Sequence, residues 1–172
     1  MPTLSTCLWF DKQAEEAAGF YVSIFPNSRI GAVNRSPADY PSGKAGDVLV
    51  VEFTLDGRPF MALNGGPQFT FDEAISMVVV TDGQEETDRY WDALLAGGGK
   101  PQACGWLKDR FGLSWQVTPK QLPRLLADPD PERAKRAMLA MMDMVKIDVA
   151  ALQAAAADAT QGGSSRNEGE EA

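Results

Sequence analysis

The chain contains a diverged copy of one of its own junctions. Phe10-Asp11-Lys12-Gln13-Ala14-Glu15-Glu16 is answered by Thr81-Asp82-Gly83-Gln84-Glu85-Glu86, and the same spacing separates Asp11 from Asp82, Gln13 from Gln84 and Glu15 from Glu86. Each copy closes an apolar run and opens an amphipathic one, so a strand-to-helix junction is expected twice. A second pair agrees at a shorter offset, with Gly57–Asn64 lying over Asp109–Gln116. The change of offset implies an insertion in the first copy, which the Pro- and Gly-rich stretch Ser36–Gly46 supplies. Two half-domains built alike are expected to share a cavity along their pseudo-two-fold axis.

Composition narrows the chemistry. At 172 residues the chain has room for one well-buried core or two small fused modules. A net charge of -8 argues against a nucleic-acid partner, because phosphate binding needs clustered Lys and Arg. No run approaches the ~20 apolar residues that span a bilayer, so a cytoplasmic protein without membrane contact is expected. The two cysteines, Cys7 and Cys104, form no CxxC pair and indicate neither a zinc site nor a disulfide framework. Histidine is absent altogether, which excludes a Ser-His-Asp triad, a Cys-His pair and any imidazole-ligated metal. Carboxylates, lysine, cysteine and tyrosine remain as general bases.

Periodicity gives the elements. Leu4–Phe10 reads as a strand, and Gln13–Phe25 as a helix with Ala14, Ala17, Ala18, Tyr21, Val22 and Phe25 on its apolar stripe. A strand at Arg29–Asn34 follows, then a hairpin in which Val48–Leu55 alternates and returns as Pro59–Asn64. The second copy reads as a strand Glu73–Thr81, a helix Gln84–Ala96 ended by Gly97-Gly98-Gly99, and strands Lys100–Leu107 and Phe111–Val117. Thr118-Pro119 looks like the N-cap and N1 of a short helix through Leu126. Pro131–Val145 and Ile147–Ala157 complete a helical extension, and the methionines Met138 to Met144 are read as core or dimer packing ahead of a ligand or partner groove. The expected fold is α+β: two tandem β-α-β-β-β modules, about 3–64 and 73–117, in a paired domain 1–118, then an extension 119–158 and a disordered tail 159–172.

The runs Leu8-Trp9-Phe10-Asp11, Leu63-Asn64-Gly65-Gly66-Pro67, Tyr90-Trp91-Asp92-Ala93-Leu94 and Cys104–Gly112 with Trp115-Gln116-Val117 carry a family resemblance. They resemble the PhnB-like branch of the vicinal oxygen chelate superfamily, the glyoxalase, dioxygenase and bleomycin-resistance proteins, whose members often bear the name 3-demethylubiquinone 3-methyltransferase. The resemblance implies two half-barrel modules enclosing one cavity, and a homodimer. It also implies metal-ligand points near Ser5 (or Thr6), Asn64, Ser76 and Gln116. None of these is a carboxylate or imidazole, so no cofactor is expected and a divalent metal is disfavoured. The methyltransferase name is disfavoured too, since no Gly-rich nucleotide loop follows a strand.

Ser5, Cys7, Trp9, Asn64, Ser76, Cys104, Trp106 and Gln116 are therefore the expected ligand-binding residues of a metal-independent small-molecule binder. The alternative is a lyase, isomerase or oxygenase of the same superfamily. Both cysteines are read as inert, since no histidine activates them, and Asp109-Arg110 as a turn pair. Glu15-Glu16 and Glu85-Glu86 are read as first-turn acids that favour the helix dipole.

Overall fold

The computed structural model describes residues 4–157. The expected tail, 159–172, lies outside them. The elements run β1 (Thr6–Phe10), α1 (Ala14–Ile24), β2 (Arg29–Arg35), β3 (Val48–Leu55), β4 (Arg58–Asn64), β5 (Ser76–Thr81), α2 (Gln84–Leu95), β6 (Lys100–Pro101), β7 (Trp106–Lys108), β8 (Ser114–Pro119), α3 (Gln121–Leu126), α4 (Pro131–Met142) and α5 (Val149–Ala157). The strands form two four-stranded sheets, ordered β1-β4-β3-β2 and β5-β8-β7-β6. The repeat is thus real at the level of topology: in each copy the last strand pairs beside the first. Among the described residues no helix is long and apolar enough to cross a membrane.

In the first sheet β1 runs parallel to β4, and β3 is antiparallel to both β4 and β2. Alternation sends Leu8 and Phe10, Val51, Phe53 and Leu55, and Phe60 and Ala62 to one face, where all are buried. α1 covers that face with Ala14, Ala17, Ala18 and Tyr21, each fully inaccessible. Three alanines let the helix settle close to the pleat, and Tyr21 supplies the bulk, its ring stacked 6.4 Å from Phe53.

The chain divides into two compact units that cut across the two modules. One contains the residues up to Met77 with Ala93–Lys100 and Lys108–Ser114, and the other Val78–Asp92, Pro101–Leu107 and everything from Trp115. In the first unit the β7–β8 turn packs on α1. Buried Asp109 accepts from the Phe111 and Leu113 amides at 2.8 and 3.1 Å and from the Tyr21 hydroxyl at 2.9 Å. Arg110 pairs with Glu16 at 3.0 Å and lies over the rings of Phe20 and Phe111.

The second unit carries its own small core, in which Leu122, Leu125, Ala137, Ile147, Leu152 and Ala156 cluster. Gln84, one of the repeated residues, ties the extension down: its Nε2 donates to the Ile147 carbonyl and its Oε1 accepts from the Val149 amide at the start of α5. The Cys104 and Gly105 amides donate to Met144 and Val145, both at 2.7 Å.

Three expectations are corrected. The strand expected over Lys100–Leu107 is interrupted, because Cys104 and Gly105 adopt φ of 61° and 80° and turn the chain toward the extension. Thr118 and Pro119 belong to β8, and α3 begins only after Lys120, whose amide is held by the Thr81 carbonyl at 2.9 Å. The fifth strand starts at Ser76 rather than Glu73.

Candidate functional site

Among the described residues, the helix packed on the first sheet is α1, on one face. Pairing registers Cys7 beside Met61 and Met61 beside Glu52, while Arg29 stands opposite Thr54 and Thr54 opposite Pro59. All of these but Cys7 line, with Ser5 and Gly31, a groove of about 350 Å³, within the range of small-ligand sites. Gly31 is tightly placed, since a Cβ there would stand 3.1 Å from the Glu52 carbonyl oxygen and the neighbouring strand would have to give by a few tenths of an ångström.

Three features of the groove bear on chemistry. The Thr54 Oγ1 is buried and has no hydrogen-bond partner among the described residues. An unmade buried hydroxyl bond costs about 1–3 kcal/mol, so its retention calls for an explanation. Arg29 and Glu52, of opposite charge and both exposed, make no ion pair or side-chain hydrogen bond among the described residues. The groove therefore carries an exposed carboxylate, an exposed guanidinium and a buried hydroxyl without a partner among the described residues. Ser5 is already engaged, its hydroxyl donating to the Pro59 carbonyl at 3.2 Å.

The other expected residues divide by face. Cys7 lies on the open face, and although it is exposed, partial desolvation by its surroundings pushes its thiol pKa up. That is the opposite of an activated nucleophile. Trp9 is on the same face at the far end of β1, where its Nε1 donates to the Gly66 carbonyl at 2.7 Å. Its ring lies so close to Gly65 that a Cβ there would collide with it, and it meets Phe69 edge to face at 5.0 Å.

Asn64 points the other way, as β4 alternation requires. Its Oδ1 accepts from the Ala14 amide and its Nδ2 donates to the Val48 carbonyl, both at 2.9 Å. Asn64 caps α1 from a neighbouring strand, a task that the N-cap residue Gln13 does not perform with its own side chain. Ser76, Trp106 and Gln116 sit half-buried on β5, β7 and β8. Trp115 is buried on the opposite side of β8 from Gln116, as alternation requires. Cys104 stands in the turn before β7 and not in a strand.

The four positions aligned with metal ligands offer two hydroxyls and two amides, with the Asn64 amide already committed at both ends. That donor set does not fit a divalent ion, which selects carboxylates, imidazoles or thiolates. Among the described residues no three His, Cys, Asp or Glu side chains are grouped to hold one.

The residues that sequence reasoning missed are Arg29, Glu52, Thr54 and Met61. The signal was present in the alternation of β3, where Glu52 and Thr54 occupy the face away from Val51 and Phe53, but a polar strand face reads equally well as solvated surface.

Residues 2–118 match the family described as 3-demethylubiquinone-9 3-methyltransferase. A solved PhnB protein from Bacillus cereus, which bears the same methyltransferase name, is 35% identical with a TM-score of 0.61, over 69% of this chain and 99% of that one. The chain belongs to this PhnB-like family. Protein PA1353 from Pseudomonas aeruginosa shares the fold at 20% identity and a TM-score of 0.56, covering 69% of this chain and 98% of that one. No curated protein matches. The PhnB-like family is a branch of the vicinal oxygen chelate superfamily, so the tandem modules expected from the sequence are those of a glyoxalase-type fold. The PhnB-like match ends at residue 118, and α3, α4 and α5 lie beyond it.

Proposed function

We propose that this PhnB-like protein binds a small zwitterionic molecule of the amino-acid type in the groove on the open face of its first sheet. The observation that carries the reading is the buried, unpartnered Thr54 hydroxyl in a groove that also holds the uncommitted Glu52 and Arg29. A ligand ammonium group meets Glu52, its carboxylate meets Arg29, and a donor or acceptor between them completes Thr54. Met61 gives the groove a soft, apolar wall, and Ser5 also lines it.

The inherited name implies transfer of a methyl group from S-adenosylmethionine. Neither strand-to-helix junction, Phe10–Gln13 or Thr81–Gln84, has the Gly-rich loop that cradles a nucleotide or cofactor backbone. Binding without metal or nucleotide is the reading these residues favour.

A thermal-shift series tests it, using the common amino acids, simple amines, simple carboxylates and S-adenosylmethionine as probes. One or more zwitterions are expected to raise the Tm saturably, with the shift lost in E52Q and in R29Q, while S-adenosylmethionine gives none. No shift from any zwitterion, or a shift that survives both substitutions, would sink the proposal.

A further inference from the structure

Gly65 and Gly66 follow β4 and let the chain turn back across the end of β1. The Trp9 ring fills the space that a Cβ at Gly65 would need, and Gly66 adopts a φ of 104°. Three hydrogen bonds pin this turn. The Gly66 amide donates to the Phe10 carbonyl at 3.2 Å, the Trp9 indole to the Gly66 carbonyl at 2.7 Å, and the Ser42 hydroxyl to the Gly65 carbonyl at 2.9 Å. Phe69 and Phe71, a few residues on, are thereby set against Trp9 and Phe10, with ring centroids 5.0 and 5.4 Å apart. Phe111, from the β7–β8 turn, completes the set at 6.0 Å from Phe10.

The five rings line a cleft of about 410 Å³, which shares no lining residue with the groove of Glu52 and Thr54. Their shape and charge limit what fits. The three ring pairs meet at 76°, 71° and 84°, so the walls form corners, whereas a flat ligand calls for near-parallel faces. Corners suit a rounded group. Asp11 also lines the cleft, exposed and with no hydrogen bond or ion pair among the described residues. It is not needed to cap α1, because Asn64 already accepts from the Ala14 amide. Lys108 lines the cleft too, but its ammonium is held by Glu73 at 2.8 Å and adds no free positive charge. Phe69 stays 66% exposed although the turn before it is fixed.

We propose that this cleft binds a small organic cation with a methylated ammonium head. Aromatic rings attract such a head through the negative potential of their faces, and Asp11 supplies the counter-charge. The volume leaves room for the head and a short tail. This site goes beyond the proposed zwitterion groove and does not depend on it.

The full chain is titrated with tetramethylammonium, with choline and with the uncharged choline analogue that carries tert-butyl in place of trimethylammonium. The readout is the NMR signal of the Trp9 indole N–H, assigned by its loss in W9F. Both cations are expected to shift it saturably, with the uncharged analogue about tenfold weaker than choline. D11N is expected to weaken choline about fivefold, and F69L, which keeps an apolar side chain but removes the ring, about threefold. E52Q is expected to leave the titration unchanged, which separates this cleft from the groove. Thermal melts report that each variant remains folded, as substitutions at exposed positions should. No Trp9 shift at tens of millimolar cation, or an affinity indifferent to D11N, overturns the proposal. An uncharged analogue that binds as tightly as choline, a flat neutral probe such as quinoline that binds more tightly than either cation, or a shift abolished by E52Q overturns it as well.

Discussion

Replacing Thr54 with Val removes one hydroxyl and keeps the shape of the side chain. That hydroxyl is buried without a partner among the described residues, so its oxygen carries a desolvation cost that no bond there offsets. The cost is about 1–3 kcal/mol, and an apolar group of the same shape relieves it. T54V is therefore expected to stabilise the ligand-free protein by about 1–2 kcal/mol. For a chain of this size that corresponds to a rise in Tm of roughly 2–8 °C. The same substitution takes away a contact that the ligand is proposed to complete, so stability and affinity should move in opposite directions. Urea unfolding with and without the zwitterion that stabilises the wild type measures both changes. A T54V protein less stable than the wild type by about 1 kcal/mol or more would mean that the hydroxyl already has a bonded partner in the free protein.

Asn64→Leu leaves the Ala14 amide and the Val48 carbonyl without their bonds, and a loss of about 2–4 kcal/mol is expected in urea unfolding; a loss under 1 kcal/mol would show that α1 does not depend on this cap. Tyr21→Phe removes the hydroxyl that Asp109 accepts, with an expected loss of about 1.5–3 kcal/mol near neutral pH. Burial first and the Asp109 carboxylate second hold the Tyr21 phenol well above its ordinary value. The folded state thus keeps a proton that the unfolded state releases near pH 10, and this contribution is present below about pH 10 and falls as the pH rises beyond it. The gap in stability between wild type and Y21F should accordingly narrow in alkaline urea titrations, and a constant gap would contradict the assignment. Addition of Mn²⁺, Zn²⁺, Ni²⁺ or Fe²⁺ is expected to give no stabilisation saturating at one equivalent; a saturating shift would make the neutral donor set a metal site after all.

Much of the fold was legible because it depends on short-range signals. The repeated Asp–Gln–Glu spacing located both strand-to-helix junctions, and the strict alternation of Val48–Leu55 fixed β3 at its observed ends. The errors came where tertiary bonds overrode local pattern. Cys104 and Gly105 leave the strand path because their amides have partners in the extension, and Thr118-Pro119 remains in a strand because sheet pairing outweighs its resemblance to a helix cap. The site was harder to read. Ser5, Cys7 and Trp9 fall on the open face by alternation from Leu8, but the Asn64 amide was assigned to a ligand when the α1 N-terminus needed an acceptor. Glu52 and Thr54 alternate onto one face in the sequence, but only the register of three strands brings them to a groove with Arg29.

The measurement that bears most directly on the ligand site is an amide-proton and nitrogen NMR titration of the full chain with the zwitterion that stabilises it. Saturable shifts are expected at Gly31, Glu52, Thr54 and Met61, absent from spectra of T54V at the same concentrations. Shifts concentrated elsewhere, or identical in T54V, would contradict that expectation.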